Sequence, residues 1–193
     1  MNWWESYAFC IWDGGFLPSE AEWEYAAAGG SQEREYPWGS AAPGMACPGT
    51  GCQYAIYNCD YPNGSGSCMG VENIAPVGTA TLGAGLWGQL DLAGEVFAWN
   101  LDWYAAYSAC TDCADFTAVS QPGRFEDRVI GGAHFVLSAP YLLPPLRAST
   151  HPRTAATPSV SVAPGPHRRN RRQLRWRSRF GREALVARRK RSW

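Results

Sequence analysis

Apolar residues at Trp3, Tyr7, Cys10 and Ile11 recur at helical spacing and stop at Gly14-Gly15, which predicts a short amphipathic helix from Trp3 to Asp13. Cys10 falls on the apolar stripe, so core packing explains it better than reactivity. A second helix carries its own start and stop signals. Ser19 is a good N-cap, and Glu22 three residues on completes a capping box. Glu20, Glu22 and Glu24 place negative charge in the first turns, where the helix dipole favours it, and Gly29-Gly30 ends the helix. From Tyr36 to Gly88 the periodicity fades, and Pro37, Gly39, Pro43, Pro48, Gly49 and Pro62-Asn63-Gly64 mark turns. Apolar and aromatic residues suited to pleated surfaces return around Gly94–Asp102 and Arg128–Phe135, which predicts two short strands. No internal repeat is present. The pattern predicts an α+β chain with much irregular structure.

Charge divides the chain in two. The 193 residues hold 17 basic and 17 acidic side chains, yet residues 1–160 sum to −11 and residues 161–193 to +11. The neutral total describes neither part. The length allows one ordinary domain, and residues 1–160 alone can bury a core. Ten Trp, nine Tyr and seven Phe are too many aromatics for a disordered acidic chain, while 21 Gly and 14 Pro imply abundant turns. No apolar run approaches the roughly 18–20 residues of a membrane span. The start, Met1-Asn2-Trp3-Trp4-Glu5, lacks the basic and apolar regions of a signal peptide.

Several ordered blocks resemble one family. Leu17-Pro18-Ser19-Glu20-Ala21-Glu22-Trp23-Glu24-Tyr25-Ala26-Ala27-Ala28-Gly29-Gly30, with Tyr36-Pro37-Trp38-Gly39, is similar to the signature of the formylglycine-generating enzymes, also called sulfatase-modifying factors. Ala75-Pro76-Val77-Gly78 follows in the family's order. The stretch from Gly85-Leu86-Trp87-Gly88 through Asp91-Leu92-Ala93-Gly94-Glu95-Val96-Phe97-Ala98-Trp99 to Asp102-Trp103-Tyr104 resembles the family's "GLYDMxGNVWEW…DWY". Arg128-Val129-Ile130-Gly131-Gly132-Ala133-His134-Phe135 resembles "RVxRGGSF". The resemblance implies a single irregular, loop-rich α+β domain related to C-type lectins over residues 1–160. It also implies that this domain is incomplete, because the family fold begins well upstream of the position matching Met1. Apolar surface left uncovered by a missing portion would cost roughly 25 cal/mol per Å² kept in water, so a poorly soluble or molten protein is expected. Cysteine-rich loops point to an exported or cell-envelope protein whose signal lies in that upstream portion.

The family's oxidase converts a sulfatase cysteine to formylglycine with oxygen and a copper ion held by two thiolates, which are soft ligands suited to Cu(I). By the resemblance, the thiolate positions fall on Val136 and Tyr141, and no cysteine follows Cys113. Neither residue can bind Cu(I), so an inactive oxidase is expected. The resemblance places a calcium site at Asp91, Gly94, Val96 and position 98. Calcium prefers six to eight oxygens with carboxylates among them, and Ala98 has lost the family's carboxylate. Glu95, where the family has Asn, replaces it only by turning inward. The expectation is a solvent-facing Glu95 and weak or absent calcium binding. The implied partner is a sulfatase-type protein substrate. The alternative function is a non-enzymatic, lectin-like module that binds a protein or glycan.

Seven cysteines occur: Cys10, Cys47, Cys52, Cys59, Cys68, Cys110 and Cys113. All but Cys10 lie in Gly/Asp/Ser-rich loops, the arithmetic of three disulfides plus a buried thiol. The nearest-neighbour pairs Cys47–Cys52, Cys59–Cys68 and Cys110–Cys113 are one connectivity of about fifteen. A zinc site using Cys110 and Cys113 ranks second, and a thioredoxin-like redox pair lower still, since no helix opens there. His134, His151 and His167 form no constellation, and His134 reads as a packed or surface residue. Ser138 and Ser149 have no nucleophile-elbow spacing.

The tail from Ser161 to Trp193 carries 12 basic residues and one acid, Glu183. A non-specific nucleic-acid arm is one reading, but the −11 body would repel the phosphates that the tail attracts. A frame shift fits better. The family ends in Gly-Phe-Arg-Cys-Ala-Arg, and codons for Ser161-Val162-Ala163-Pro164-Gly165-Pro166 exist whose neighbouring frame reads Phe-Arg-Cys-Ala-Arg-Thr. A disordered, out-of-frame segment is expected there, with no specific nucleic-acid partner.

Overall fold

Among the described residues, each of the two α-helices begins on a reciprocal pair of hydrogen bonds between its N-cap residue and a glutamate three positions later. A computed structural model describes residues 1–43, 54–64, 66–107, 114–116, 126–144 and 146–154. Helix α1 runs Trp3–Trp12. The Asn2 carboxamide accepts from the Glu5 N–H at 3.0 Å, and Glu5 Oε2 accepts from the Asn2 N–H at 2.8 Å. The helix ends in a Schellman motif, with Gly14 N–H donating to Ile11 O at 3.0 Å and Gly15 N–H to Cys10 O at 2.8 Å. That geometry needs a left-handed residue after the cap, which Gly14 supplies at φ 77°.

The buried stripe of α1 is Trp3, Ser6 and Cys10. This corrects the expected stripe. Ile11 is 55% exposed and Tyr7 is exposed as well, its ring stacked on Trp3 with centroids 5.1 Å apart. Helical spacing offered two adjacent faces, and Trp3 chose between them. Its indole Nε1 donates to the Asn100 carbonyl at 2.8 Å, and its ring covers the Arg128 guanidinium at 4.0 Å. Trp103 covers the same guanidinium from 3.4 Å, and Arg128 Nη1 donates to the Leu101 carbonyl. Trp4, Ile11, Trp12 and Phe16 are left exposed.

Helix α2 runs Glu20–Ala27 behind the predicted Ser19 and Glu22 capping box. A second cap reaches it from a strand, since Asp102 Oδ2 accepts from the Glu20 N–H at 2.6 Å. The helix buries Trp23, Ala26 and Ala27.

Three antiparallel strands follow in the spatial order β1 (Ala98–Trp103), β2 (Arg128–Gly131), β3 (Ala148–Thr150). The register pairs Trp99 with Ile130 and Trp103 with Arg128, with an irregularity between, and Val129 with Ser149. Both predicted strands are shorter than expected. Gly94–Phe97 and Gly132–Phe135 leave the ladder as loops, because Gly94, Glu95 and Gly132 take left-handed backbone angles that no strand accommodates. β3 carried no pattern long enough to be predicted. Trp23 of α2 packs flat on β2, so close that a Cβ at Gly131 would come within 2.7 Å of its ring.

The segment between α2 and β1 is irregular, as predicted, and is held by polar contacts. Asn73 is fully buried, its amide nitrogen within reach of the Cys59, Tyr61 and Ser67 carbonyls and its Oδ1 accepting from the Met69 N–H. Cys59 and Cys68 form a disulfide across the same turn, with Cα atoms 5.0 Å apart. Cys47, Cys52, Cys110, Cys113 and the basic tail from Ser161 lie outside the described residues. Cys10 is buried, in keeping with its predicted packing role. No described helix is long and apolar enough to cross a membrane.

Candidate functional site

Two loops leave the same end of the sheet, one before β1 and one after β2, and the chain itself stitches them together. The Glu95 N–H donates to Ile56 O at 2.7 Å, and the Glu95 carbonyl accepts from Phe135 N–H at 3.0 Å. Cys59 N–H in turn donates to Phe135 O at 2.7 Å, and Asn58 N–H to Leu137 O at 2.9 Å. The irregular segment is thereby locked to both loops.

Beyond Phe135 lie Val136 and Tyr141, the two positions where the resemblance would place the copper thiolates. Val136 is 47% exposed and Tyr141 is 46% exposed, the latter in a 3₁₀ turn over Ala139–Leu142. Neither side chain offers a soft donor. The described cysteines do not substitute: Cys10 is buried in α1, and Cys59 and Cys68 are joined to each other. Among the described residues no thiolate pair exists, and the donor set does not fit copper. His134 beside them is packed, with its ring 5.7 Å from Phe97 and 4.1 Å from Phe135, and its Nδ1 accepts from Val136 N–H at 3.4 Å. Ser138 precedes the 3₁₀ turn and its backbone carbonyl accepts from Tyr141 N–H at 3.0 Å, Ser149 Oγ donates to Asp127 at 3.0 Å, and His151 Nδ1 accepts from Arg153 N–H at 3.3 Å. These residues serve local structure. His167 lies outside the described residues.

The loop to which the resemblance assigns calcium looks different from its expectation. Asp91 and Glu95 both adopt left-handed backbone angles, φ 60° and 66°. Asp91 Oδ2 accepts from Gly78 N–H at 2.8 Å, and burial raises its carboxyl above the usual range against the pull of that bond. Glu95 does not face solvent. It is 6% exposed, and neither carboxylate oxygen has a hydrogen-bond partner. Burial is the main cause that pushes it up to about 8. The Ala75 N–H points toward it and opposes the shift without reaching hydrogen-bond geometry, and the charge of Asp91 adds to the shift. Position 98 opens β1 with a methyl group. Asp91 and Glu95 are thus two acids of one loop whose carboxyls burial holds above the usual range.

Sequence reasoning missed a second polar cluster, between α2 and the sheet. Arg147 reaches Glu20 with two bonds, Nε to Oε1 at 2.5 Å and Nη2 to Oε2 at 3.0 Å, while Nη1 donates to Ala105 O at 2.6 Å. Its guanidinium lies between the rings of Tyr104 and Tyr107, 4.4 and 4.5 Å from their centroids. Tyr107 donates to Glu20 at 3.0 Å, and burial together with that contact pushes its phenol up to about 12. Glu24, below, is raised mainly by burial and then by Glu20. A cavity of about 10 Å³ lies there, lined by Trp23, Glu24, Asn100 and Val129, with the Asn100 amide fully buried and unpartnered. That is room for one water molecule and little else. The cluster is a clamp between α2 and the chain entering β3. Arg147→Ala is expected to cost roughly 2 kcal/mol, less than a fully buried pair because both side chains keep some exposure. Arg147→Lys should lose most of the same amount, since lysine keeps the charge but neither the fork nor the stacking. Urea denaturation of the two variants checks this, and a lysine variant as stable as the parent would show that charge alone matters.

Comparison with known proteins bears on the loops. A family model for the sulfatase-modifying factor enzyme 1-like domain matches residues 1–160. The chain is 29% identical over 142 residues to a formylglycine-generating enzyme of Mus musculus, covering 73% of this chain and 36% of that one. It is 32% identical over 107 residues to an inactive C-alpha-formylglycine-generating enzyme 2 of Bos taurus, covering 55% of this chain and 33% of that one. The chain thus spans about a third of the length of these relatives. Among solved structures, PvdO from Pseudomonas aeruginosa superposes with a TM-score of 0.56 at 18% identity, over 79% of this chain and 55% of that one, a likeness of fold.

Proposed function

Because residues 1–160 make this chain a member of the sulfatase-modifying factor enzyme 1-like family, we propose that it is a member without copper-dependent oxidase activity, one that holds a polypeptide on the family's surface and does not oxidise it. The observation that carries this reading is the pair Val136 and Tyr141, two half-exposed side chains without sulfur where the resemblance calls for thiolates. Leu143 adjoins them with a partly exposed side chain, so this end of the molecule offers apolar contacts without a reactive centre. The relative named inactive supports the reading, as it shows that the family includes members described in those terms. The bound polypeptide is proposed to be of the sulfatase type, on a fold related to C-type lectins of which this chain supplies a part. The rival occupant is a glycan, which the aromatic-rich loops would also suit.

The test is direct. The full chain is mixed with Cu(I), oxygen and a sulfatase-derived cysteine peptide, and the peptide's mass is followed. The expected result is an unchanged peptide, together with saturable binding of a fluorescent copy by anisotropy. Copper-dependent conversion of the cysteine to the aldehyde would overturn the reading of Val136 and Tyr141. Binding of glycans in place of the peptide would favour the rival. Residues 161–193 are proposed to be out of frame, which resequencing the locus tests by whether a one-base shift restores Gly-Phe-Arg-Cys after Val160.

A further inference from the structure

We propose that the Cys59–Cys68 disulfide is a thiol-exchange site, attacked by small thiols at Cys68, and that its reduction loosens the chain segment carrying Val136. The exchange stands by itself; only its effect on a bound polypeptide rests on the reading above. The two sulfurs differ in access. Cys59 is 1% exposed and shares a buried cluster with Ile56, Ala75 and Phe135, whereas Cys68 is exposed. Exchange proceeds by attack of a thiolate on a sulfur that it can reach. Here that sulfur belongs to Cys68, and Cys59 is the departing group.

The turn that ends at Cys59 grips the Val136 segment. Asn58 N–H donates to Leu137 O at 2.9 Å and Cys59 N–H to Phe135 O at 2.7 Å, so two consecutive amides bracket Val136. Both residues take left-handed backbone angles, φ 57° and 54°. Asparagine tolerates this conformation through local side-chain hydrogen bonds, and Asn58 Nδ2 donates to Asp60 Oδ2 at 3.2 Å. The Cys59 side chain is held instead by its bond to Cys68. A strained backbone of this kind persists only where its surroundings over-determine it.

The chemistry takes two steps. A small thiol in its thiolate form attacks the Cys68 sulfur, a mixed disulfide forms there, and the Cys59–Cys68 bond breaks with its electron pair on Cys59. Apolar surroundings disfavour a thiolate, so Cys59 takes up the proton that the attacking thiol released. A second thiol then attacks the mixed disulfide and frees Cys68, which takes up the second proton. Two small thiols are oxidised to one disulfide, and the protein's disulfide is reduced by two electrons. Unfolding does not follow. The cross-linked residues are 9 positions apart, and short loops gain least from a cross-link. Asn73 still joins the two sides of the turn, its Nδ2 within reach of the Cys59 and Ser67 carbonyls at 3.1 Å and its Oδ1 accepting from Met69 N–H at 2.5 Å. What reduction removes is the restraint on the Cys59 side chain, and with it the firm hold of two amides on either side of Val136.

The experiment uses the full chain, oxidised or treated with glutathione, with adducts located by peptide mass mapping and backbone protection read by amide hydrogen exchange. Between Cys59 and Cys68, glutathione should appear on Cys68. After complete reduction with dithiothreitol, the amides of Asn58 and Cys59 should exchange at least roughly tenfold faster, while those of α1 and α2 keep their protection. Cys68→Ser isolates this bond from the other cysteines and should show the fast exchange without reductant. If that variant folds poorly, the oxidised and reduced parent still supply the comparison. A sulfatase-derived peptide should bind more weakly to the reduced protein by anisotropy. A parent that takes no glutathione on Cys68, unchanged exchange at Asn58 and Cys59 after reduction, or equal saturable binding of the peptide in both states each overturns the proposal. So does loss of protection in α2 together with the turn, the mark of global unfolding. Binding of no peptide in either state sinks the polypeptide reading alone, and the exchange rates still decide the role of the disulfide.

Discussion

Replacing Gly94 with alanine is expected to unfold the domain at ordinary temperatures, a loss of more than about 4 kcal/mol against a total of roughly 5–15. Two penalties combine. Gly94 sits at φ 81°, where any residue with a Cβ is strained by about 1 kcal/mol. The added Cβ would also lie 2.4 Å from the Ile56 carbonyl oxygen and 2.9 Å from the Ile56 nitrogen. Those are backbone atoms and cannot rotate away, so relief requires parting the loop from Ile56. That breaks the Glu95-to-Ile56 bond and disturbs the Phe135-to-Glu95 bond that joins the two loops. Gly14→Ala is the natural control. It has almost the same backbone angle, φ 77°, yet no atom lies within 4 Å of the Cβ position, so it should cost only about 1 kcal/mol. Near-UV circular dichroism during urea unfolding reads both variants. Equal losses at the two sites would mean that the contact with Ile56 is not as close as the structure shows.

Stability should fall as pH rises from about 4.5 to about 8 and level off beyond, with Glu95 as the principal cause. Burial raises this carboxyl from its ordinary 4.5 to about 8, with Asp91 adding to the effect and Ala75 N–H opposing it. Between those two values the folded protein holds a proton that the unfolded chain has released. Folding therefore takes up a proton, and a rising pH works against it. The loss accumulates across the window, because throughout it the folded state holds a proton that the unfolded chain has released. Glu24, Asp91 and Asp102 are also raised, mainly by burial, and act in the same direction. The informative quantity is thus the difference between the parent and Glu95→Gln, whose slope should be markedly flatter. Urea midpoints taken at intervals of about one pH unit across the window measure it. Stability that rises across the window would show that Glu95 is ionised and solvated in the folded protein.

Much was legible in the chain wherever a local rule decides. The Ser19 and Glu22 capping box, the end of α1 at Gly14-Gly15 and the irregular stretch after Tyr36 all follow from neighbours three or four residues apart, and the structure shows them. The capping box of Asn2 and Glu5 belonged to the same class and was readable, with an N-cap residue three positions before a glutamate. The family was legible too, because its blocks occur in order along the sequence.

What escaped reading depended on partners distant in the chain. Spacing placed Tyr7 and Ile11 on a face that α1 could bury, but Trp3, anchored to Asn100 and Arg128 about a hundred residues away, turned Ser6 and Cys10 inward. The three residues of β3 have too little pattern to be called a strand, and become one because β2 offers them a ladder. Arg147 and Glu20 are 127 positions apart, and no local signal marks them as a pair. Glu95 is the clearest case. By composition a glutamate in a Gly-rich loop faces water, and only Ile56 and Phe135, gripping its backbone from two other segments, turn it inward. Sequence determined the elements whose hydrogen bonds close within a few residues; tertiary structure decided every orientation, because orientation is set by whichever distant surface removes the side chain from water.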